Sequence, residues 1–283
     1  MLHPLEYRDP QTPEALARCL HETGFAVLGH PPIAEQLVQA VYQDWATFFT
    51  SEQKHNHTFE PEQQSGYFPF QLEQAKGHTV PDLKEFFHLY PWTDLPAGIG
   101  DNTHQLFQQL NQLASELLVW VEQFAPETVS FTEPLGRMID GSQETLLRLI
   151  HYPPLAEAIP PGAIRAAAHE DINLITLLPA ATAMGLELLD PQENWVSVPC
   201  SPGDIVINGG DMLQMASGGY YRSATHRVIN PEGPMSATSR FSMPLFLHPR
   251  REVVLAGTTT ARAYLLERLA EIGLLADGRK PLS

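Results

Sequence analysis

Cysteine is nearly absent from this chain. Among 283 residues only Cys19 and Cys200 occur, far apart and in no zinc-finger or redox spacing. Positive charge is scarce as well: 17 Lys and Arg stand against 33 Asp and Glu, a formal net charge of −16. With no basic run to neutralise phosphates, the chain is a poor candidate for binding nucleic acid or an anionic membrane. No apolar run approaches the roughly 20 residues of a membrane span. The opening MLHPLEYRDPQTPEAL lacks a basic segment followed by an apolar one, so it does not read as a secretory signal. These absences lead to the expectation of a soluble protein of the reducing cytoplasm.

What is abundant is core-forming material, at 43% hydrophobic residues, enough for one large domain. Residues 1–140 read as mainly helical, with an early strand at GFAVLGH. In TPEALARCLHETG, Thr12 is the expected N-cap, Pro13 the first helical residue and Gly24 the stop. Ile33, Leu37, Val38, Val41, Trp45, Phe48 and Phe49 form one helical stripe, and Leu106, Leu110, Leu113, Leu117 and Val121 another. Between them, Ser51 to Gly77 reads as loop interrupted by GYFPF.

From 144 to 250 short β-like runs alternate with turn signals, which predicts an antiparallel sandwich or jelly roll. The helical stripes would pack on its outside, so the whole chain, 1–283, is expected to be one domain. A final amphipathic helix is predicted over 258–276. No internal repeat is present.

One β-like run, AIRAAAHEDINLITLLP, carries three ionisable residues amid apolar ones: His169, Glu170 and Asp171. On a strand, residues i and i+2 share a face, which puts His169 and Asp171 together and Glu170 opposite. An imidazole and a carboxylate so placed suit one metal ion. His226, in SATHRVIN, offers a third ligand. Two His and one carboxylate that leave positions open form the facial triad of non-haem Fe(II) oxygenases. The bland alternative is a core histidine paired with Asp171.

Further along, SRFSMP places Arg240 and Ser242 on one strand face. If the chain folds back at Gly233, within NPEGP, Arg240 comes level with His226 on a neighbouring strand. Arginine is the side chain best shaped for a bidentate grip on a carboxylate. Tyr152, in LIHYPP, adds a phenol at the end of another run.

Taken together, HED, SATHRV, RFS and HYPP resemble the isopenicillin N synthase-like group of Fe(II)- and 2-oxoglutarate-dependent dioxygenases. The likeness extends to ETGFAVLGHPPI, FFTSEQK, SGYFPF and DLKEFFHL, and so covers nearly the whole chain. It implies a mainly β fold with flanking helices around a double-stranded β-helix, the jelly-roll, cupin-like core. It also implies that His169, Asp171 and His226 bind Fe(II), and that Arg240, Ser242 and Tyr152 hold the distal carboxylate of 2-oxoglutarate. O2 would be the other cosubstrate, and 2-oxoglutarate would leave as succinate and CO2. Where many plant members carry an Asn two residues before this Tyr, the present chain has Ile150. In this fold the substrate enters at the open mouth of the β-helix. Candidates there are Tyr67, Phe68, Phe70, Lys84, Phe86, Arg165 and Phe246; Arg165, four residues before His169, would share the metal-facing side of a regular strand. Two rival readings remain at this point. One is an oxidase that holds its own substrate's carboxylate at Arg240 or turns over a 2-oxo acid alone, and the other is a jelly-roll protein that binds metal without turnover.

Overall fold

The computed structural model describes residues 3–73, 80–155, 159–199 and 201–271. Cys200, residues 74–77 of the expected loop and residues 272–276 of the expected last helix lie outside them.

The N-terminal part contributes strands as well as helices. In order come β1 (Leu5–Glu6), α1 (Thr12–Glu22), β2 (Phe25–Gly29), α2 (Glu35–Thr50), β3 (Gly66–Phe68), β4 (Glu85–Leu89), α3 (Asp101–Gln123) and α4 (Leu135–Ile139). The β-rich part follows: β5 (Leu146–Tyr152), β6 (Ala166–His169), β7 (Ile175–Pro179), β8 (Leu186–Leu189), β9 (Trp195–Ser197), β10 (Ile205–Gly209), a short α5 (Asp211–Ala216), β11 (His226–Val228), β12 (Arg240–Ser242) and β13 (Leu245–Leu247). A small hairpin of β14 (Val254–Ala256) and β15 (Thr259–Thr260) leads into α6 (Ala261–Glu271).

Among the described residues, nine strands form a large sheet in the order β1-β2-β10-β7-β13-β5-β4-β3, with β12 also on β5. Four more form a smaller sheet, β6-β11-β8-β9. Strand alternation sorts the side chains of the large sheet. Ala26 and Leu28, Leu147 and Leu149, Ile175 and Leu177, and Ile205 and Ile207 join the helical stripes of α1, α2 and α3 in one core. Their neighbours Phe25, Val27, Phe86, Ile150, Tyr152 and Val206 point the other way. There they meet Ala166, Leu186, Leu188 and Val228 of the small sheet in a second core. The two sheets therefore enclose an interior, and the helices cover the outside of the larger one. No helix of the described residues is long and apolar enough to cross a membrane.

Three local expectations change. Thr12 is not the cap of α1: Gln11 takes that place, and the Thr12 hydroxyl donates to Glu6 O at 2.6 Å. Gly24 does end the helix, at φ +75°, where a Cβ would also strike Ala224 Cβ at 2.8 Å. The run 163–179 is not one strand. It is β6 of the small sheet and β7 of the large one, joined by a crossing segment that holds Asp171. Finally, the stretch from His226 to Arg240 is not a hairpin. Its turn, Gly233–Ala237, carries the chain from β11 in the small sheet to β12 beside β5 in the large one.

Candidate metal centre and carboxylate pocket

His169 and His226 face each other across the β6–β11 pair, directly in register, with ring centroids 4.4 Å apart. The register shifts between this pair and Val228↔Ala166, so β6 is locally irregular. Each histidine's Nδ1–H donates to the carbonyl two residues earlier: His169 to Ala167 O at 2.7 Å, His226 to Ala224 O at 2.9 Å. A carbonyl only accepts, so Nδ1 carries a proton and Nε2 is the atom each ring offers to the site.

Asp171 reaches the same spot from the crossing segment. Its Oδ1 lies 3.9 Å from His169 Nε2 and 3.8 Å from His226 Nε2. The i, i+2 argument expected His169 and Asp171 on one strand face; the structure brings them together by another route, since β6 stops at His169. What aims the carboxylate is a pair of inward side chains that are register partners, Thr176 of β7 and Asn208 of β10. Both donate to Asp171 Oδ2, at 2.6 and 2.9 Å, and leave Oδ1 free. Glu170 turns away and accepts from the Thr225 hydroxyl at 2.8 Å.

The electrostatics match this arrangement. Burial alone would raise the Asp171 pKa, but His226, His169 and its two hydrogen bonds outweigh that and lower it. Burial first, and then His226, pull His169 down to about 4. The cluster brings one carboxylate and two imidazoles together, with three ligand atoms within 4.8 Å of one another. Hard carboxylate plus two borderline nitrogens is the donor set that non-haem Fe(II) uses, so the residues fit that metal.

Deeper in the interior, Arg240 pairs in register with Tyr152, and Ser242 with Ile150. Arg240, only 2% exposed, donates from Nε to Ala183 O at 2.9 Å, while its Nη1 is buried without a partner. Arg165 is 1% exposed. Its Nη2 donates to Thr238 O at 3.1 Å, and its Nε is likewise unpartnered. Both guanidinium groups lie against the Tyr152 ring, at 5.0 and 5.9 Å. Arg165 is therefore not at the substrate mouth, where the sequence suggested it.

On the outer side of the metal cluster opens a cavity of about 460 Å³, lined by His169 and Asp171. Of the expected substrate residues, Lys84 and Phe246 line it. The others do not. Phe68 and Phe86 stack on each other in the second core, 4.6 Å apart. Tyr67 faces the helices and donates to Glu85 at 2.5 Å, and Phe70 is exposed. Lys84 is engaged too: its Nζ meets Glu73 at 2.6 Å and Asp82 at 2.8 Å, and Arg148 completes the cluster at 3.3 Å from Glu73. Arg148 also donates from Nε to His88 Nε2 at 2.8 Å, and His88 donates from Nδ1 to Gln64 O.

Sequence reasoning missed His88 and Arg148, register partners on β4 and β5. The signal was available, because Arg148 lies four residues before Tyr152 and Tyr152 had been singled out. On one strand both face inward.

Two sheets closed over a His, Asp and His cluster define a class of enzyme, the double-stranded β-helix oxygenases. Similarity to known proteins agrees. The pattern of the 2OG-Fe(II) oxygenase superfamily matches residues 143–249, and that of the non-haem dioxygenase N-terminal region in morphine synthesis matches residues 2–116. A proline hydroxylase of Petromyces alliaceus is 31% identical over 264 residues, covering 84% of this chain and 81% of the relative. A 2-oxoglutarate-dependent dioxygenase of Monascus ruber is 30% identical, covering 81% and 76%. A solved structure of an oxygenase from Shewanella oneidensis superposes with a TM-score of 0.87 at 46% identity, covering 97% of this chain and 99% of that one. The chain belongs to the 2OG-Fe(II) oxygenase superfamily. It is an oxidoreductase that uses Fe(II), 2-oxoglutarate and O2.

Proposed function

We propose that His169, Asp171 and His226 hold the Fe(II), that Arg240, Ser242 and Tyr152 hold the distal carboxylate of 2-oxoglutarate, and that a small molecule is oxidised in the cavity beside His169. The observation that carries this reading is Asp171. It is buried, and two donors fix one of its oxygens while the other faces two imidazole nitrogens. When bound, the iron together with 2-oxoglutarate and O2 supplies an oxidant able to take hydrogen from a C–H bond, and 2-oxoglutarate leaves as succinate and CO2.

The protein's own part is positioning. Ala167 O and Ala224 O fix the imidazole tautomers. Thr176 and Asn208 fix the carboxylate. Of the alanines before His169, Ala168 lines the cavity and Ala166 packs into the second core. We read residues 1–140 and 144–250 as one oxygenase unit, since strands of both share the large sheet.

The cavity walls support a largely apolar substrate and disfavour an anionic one. Leu146, Ile172, Phe246, Leu265 and Leu269 supply apolar surface. Among the described lining residues every cation already has an acidic partner: Lys84 with Glu73 and Asp82, Arg148 with Glu73, and Arg268 with Glu267 and Glu271.

The test has two stages. First, the anaerobic Fe(II)·2-oxoglutarate protein is screened against small metabolites for a change in its charge-transfer absorption. Hits are then assayed for succinate release, which should follow substrate addition and disappear in Asp171→Ala. Substrate oxidation without succinate would defeat the reading and favour an oxidase that holds its substrate's own carboxylate.

A further inference from the structure

Two buried arginines stand in the interior, outside the lining of the cavity beside His169, with no acidic partner among the described residues. Each keeps one guanidinium N–H donor satisfied by a carbonyl, Thr238 O for Arg165 and Ala183 O for Arg240. Each also leaves one buried nitrogen unpartnered, Nε of Arg165 and Nη1 of Arg240. The aromatic ring of Tyr152 lies against both. An isolated buried cation is costly, and two that repel each other are more so. Burial and then the repulsion from Arg240 lower the Arg165 pKa. Among the described residues, Lys84, the other buried Lys or Arg, and the half-buried Arg148 each have a carboxylate within 3.3 Å. An anion bound between the two guanidinium groups would offset both costs.

We propose that Arg165 is a second cation for the distal carboxylate of 2-oxoglutarate, so that this carboxylate is held by Arg165 and Arg240 together and the pocket selects dicarboxylic 2-oxo acids. This rests on the use of 2-oxoglutarate as cosubstrate. Arg165 is a specificity residue for the cosubstrate and does not line the cavity beside His169. Its position depends on the end of β6: the residue before Ala166 lies in a bend, not in regular strand, which lets its side chain reach Tyr152 and Thr238.

The test is calorimetric and needs no turnover. Anaerobic protein loaded with Mn(II) is titrated with 2-oxoglutarate and, separately, with 2-oxovalerate, which lacks the distal carboxylate. Wild-type protein should prefer 2-oxoglutarate. Arg165→Met should weaken 2-oxoglutarate about tenfold to a hundredfold, the loss of one charge-assisted hydrogen bond, and leave 2-oxovalerate unchanged. Arg165→Lys should recover part of the difference. Thermal unfolding of the ligand-free proteins guards against a folding artefact. Removing an unpaired buried charge should leave the melting temperature of Arg165→Met equal to or above that of wild type, whereas a purely structural arginine would lower it. Equal weakening of both ligands, or of neither, overturns the assignment while 2-oxoglutarate use stands. Failure of wild-type protein to bind 2-oxoglutarate at all overturns cosubstrate use itself, and this assignment with it.

Discussion

The Thr176 hydroxyl is a small group with a large expected effect. It is 2% exposed, points inward from β7, and donates to Asp171 Oδ2 at 2.6 Å while accepting from Asn173 Nδ2 at 2.8 Å. Thr176→Val keeps the shape and the β-branch but removes both bonds. A hydrogen bond to a charged group contributes about 1.5–3 kcal/mol. Outer partners of metal ligands typically change metal affinity by about tenfold to a hundredfold, or about 1.4–2.8 kcal/mol, so the two estimates agree. Asn208 still holds Asp171 at 2.9 Å, which keeps the loss partial. The metal-free protein should suffer too. Asn173 Oδ1 is already unpartnered, and stranding its Nδ2 as well costs about 1–3 kcal/mol. Competition against a chelating dye under anaerobic conditions gives the Fe(II) affinity, and urea unfolding in EDTA gives the metal-free stability. An Fe(II) Kd within twofold of wild type would refute the view that these donors aim Oδ1 at the metal.

Three more outcomes follow from the same geometry. Gly210→Ala should lose metal binding by at least about tenfold: a Cβ there meets Asp171 O at 2.8 Å and presses still closer on Asn173 O and Oδ1, so the crossing segment must move; unchanged metal affinity would refute it. Lys84→Met leaves Glu73 and Asp82 short of a buried cation and should cost about 3–5 kcal/mol in urea unfolding, while Asp82 loses the partner that steadies its bond from Ala167 N; a loss under about 1 kcal/mol would count against it. The pH dependence has a definite sign. Burial, with Arg148 second, holds His88 well below its ordinary value of 6.5, and burial lowers His248 as well. The unfolded chain therefore binds more protons below about pH 6.5, and stability, complete above that pH, falls as acidity increases by up to about 1.4 kcal/mol per pH unit for each histidine. In EDTA, His169, at about 4, adds to the loss. Urea midpoints that stay flat from neutral pH to about pH 5 would contradict this.

Much of the site was legible because ligand chemistry is local. His169, Asp171 and His226 declare themselves by residue type and by β context, and Arg240 and Ser242 by their alternation on one strand. The inward and outward faces of β2, β5, β7 and β10 follow from period two, and the structure sorts them into two cores. Less legible were the breaks. Residues 163–179 look continuous in hydrophobicity, yet the chain leaves one sheet at His169 and enters the other at Ile175. Hydropathy does not distinguish a strand from two strands joined by a buried crossing. β4 was hidden for a similar reason: EFFHL mixes charged and aromatic residues because Glu85 is buried against Lys54, His151 and Tyr67.

The sequence alone determined which atoms can bind a metal and a carboxylate, and which side chains of each strand share a face. Those properties depend on residue type and on the two-residue repeat of an extended chain. Only the tertiary structure decided which strands become neighbours. It set Arg240 beside Tyr152 and not beside His226, buried Arg165 against Tyr152 and not in the cavity wall, and neutralised Lys84 with Glu73 and Asp82. Pairing between strands distant in sequence is a long-range outcome of closing two sheets over one interior, and no local period encodes it.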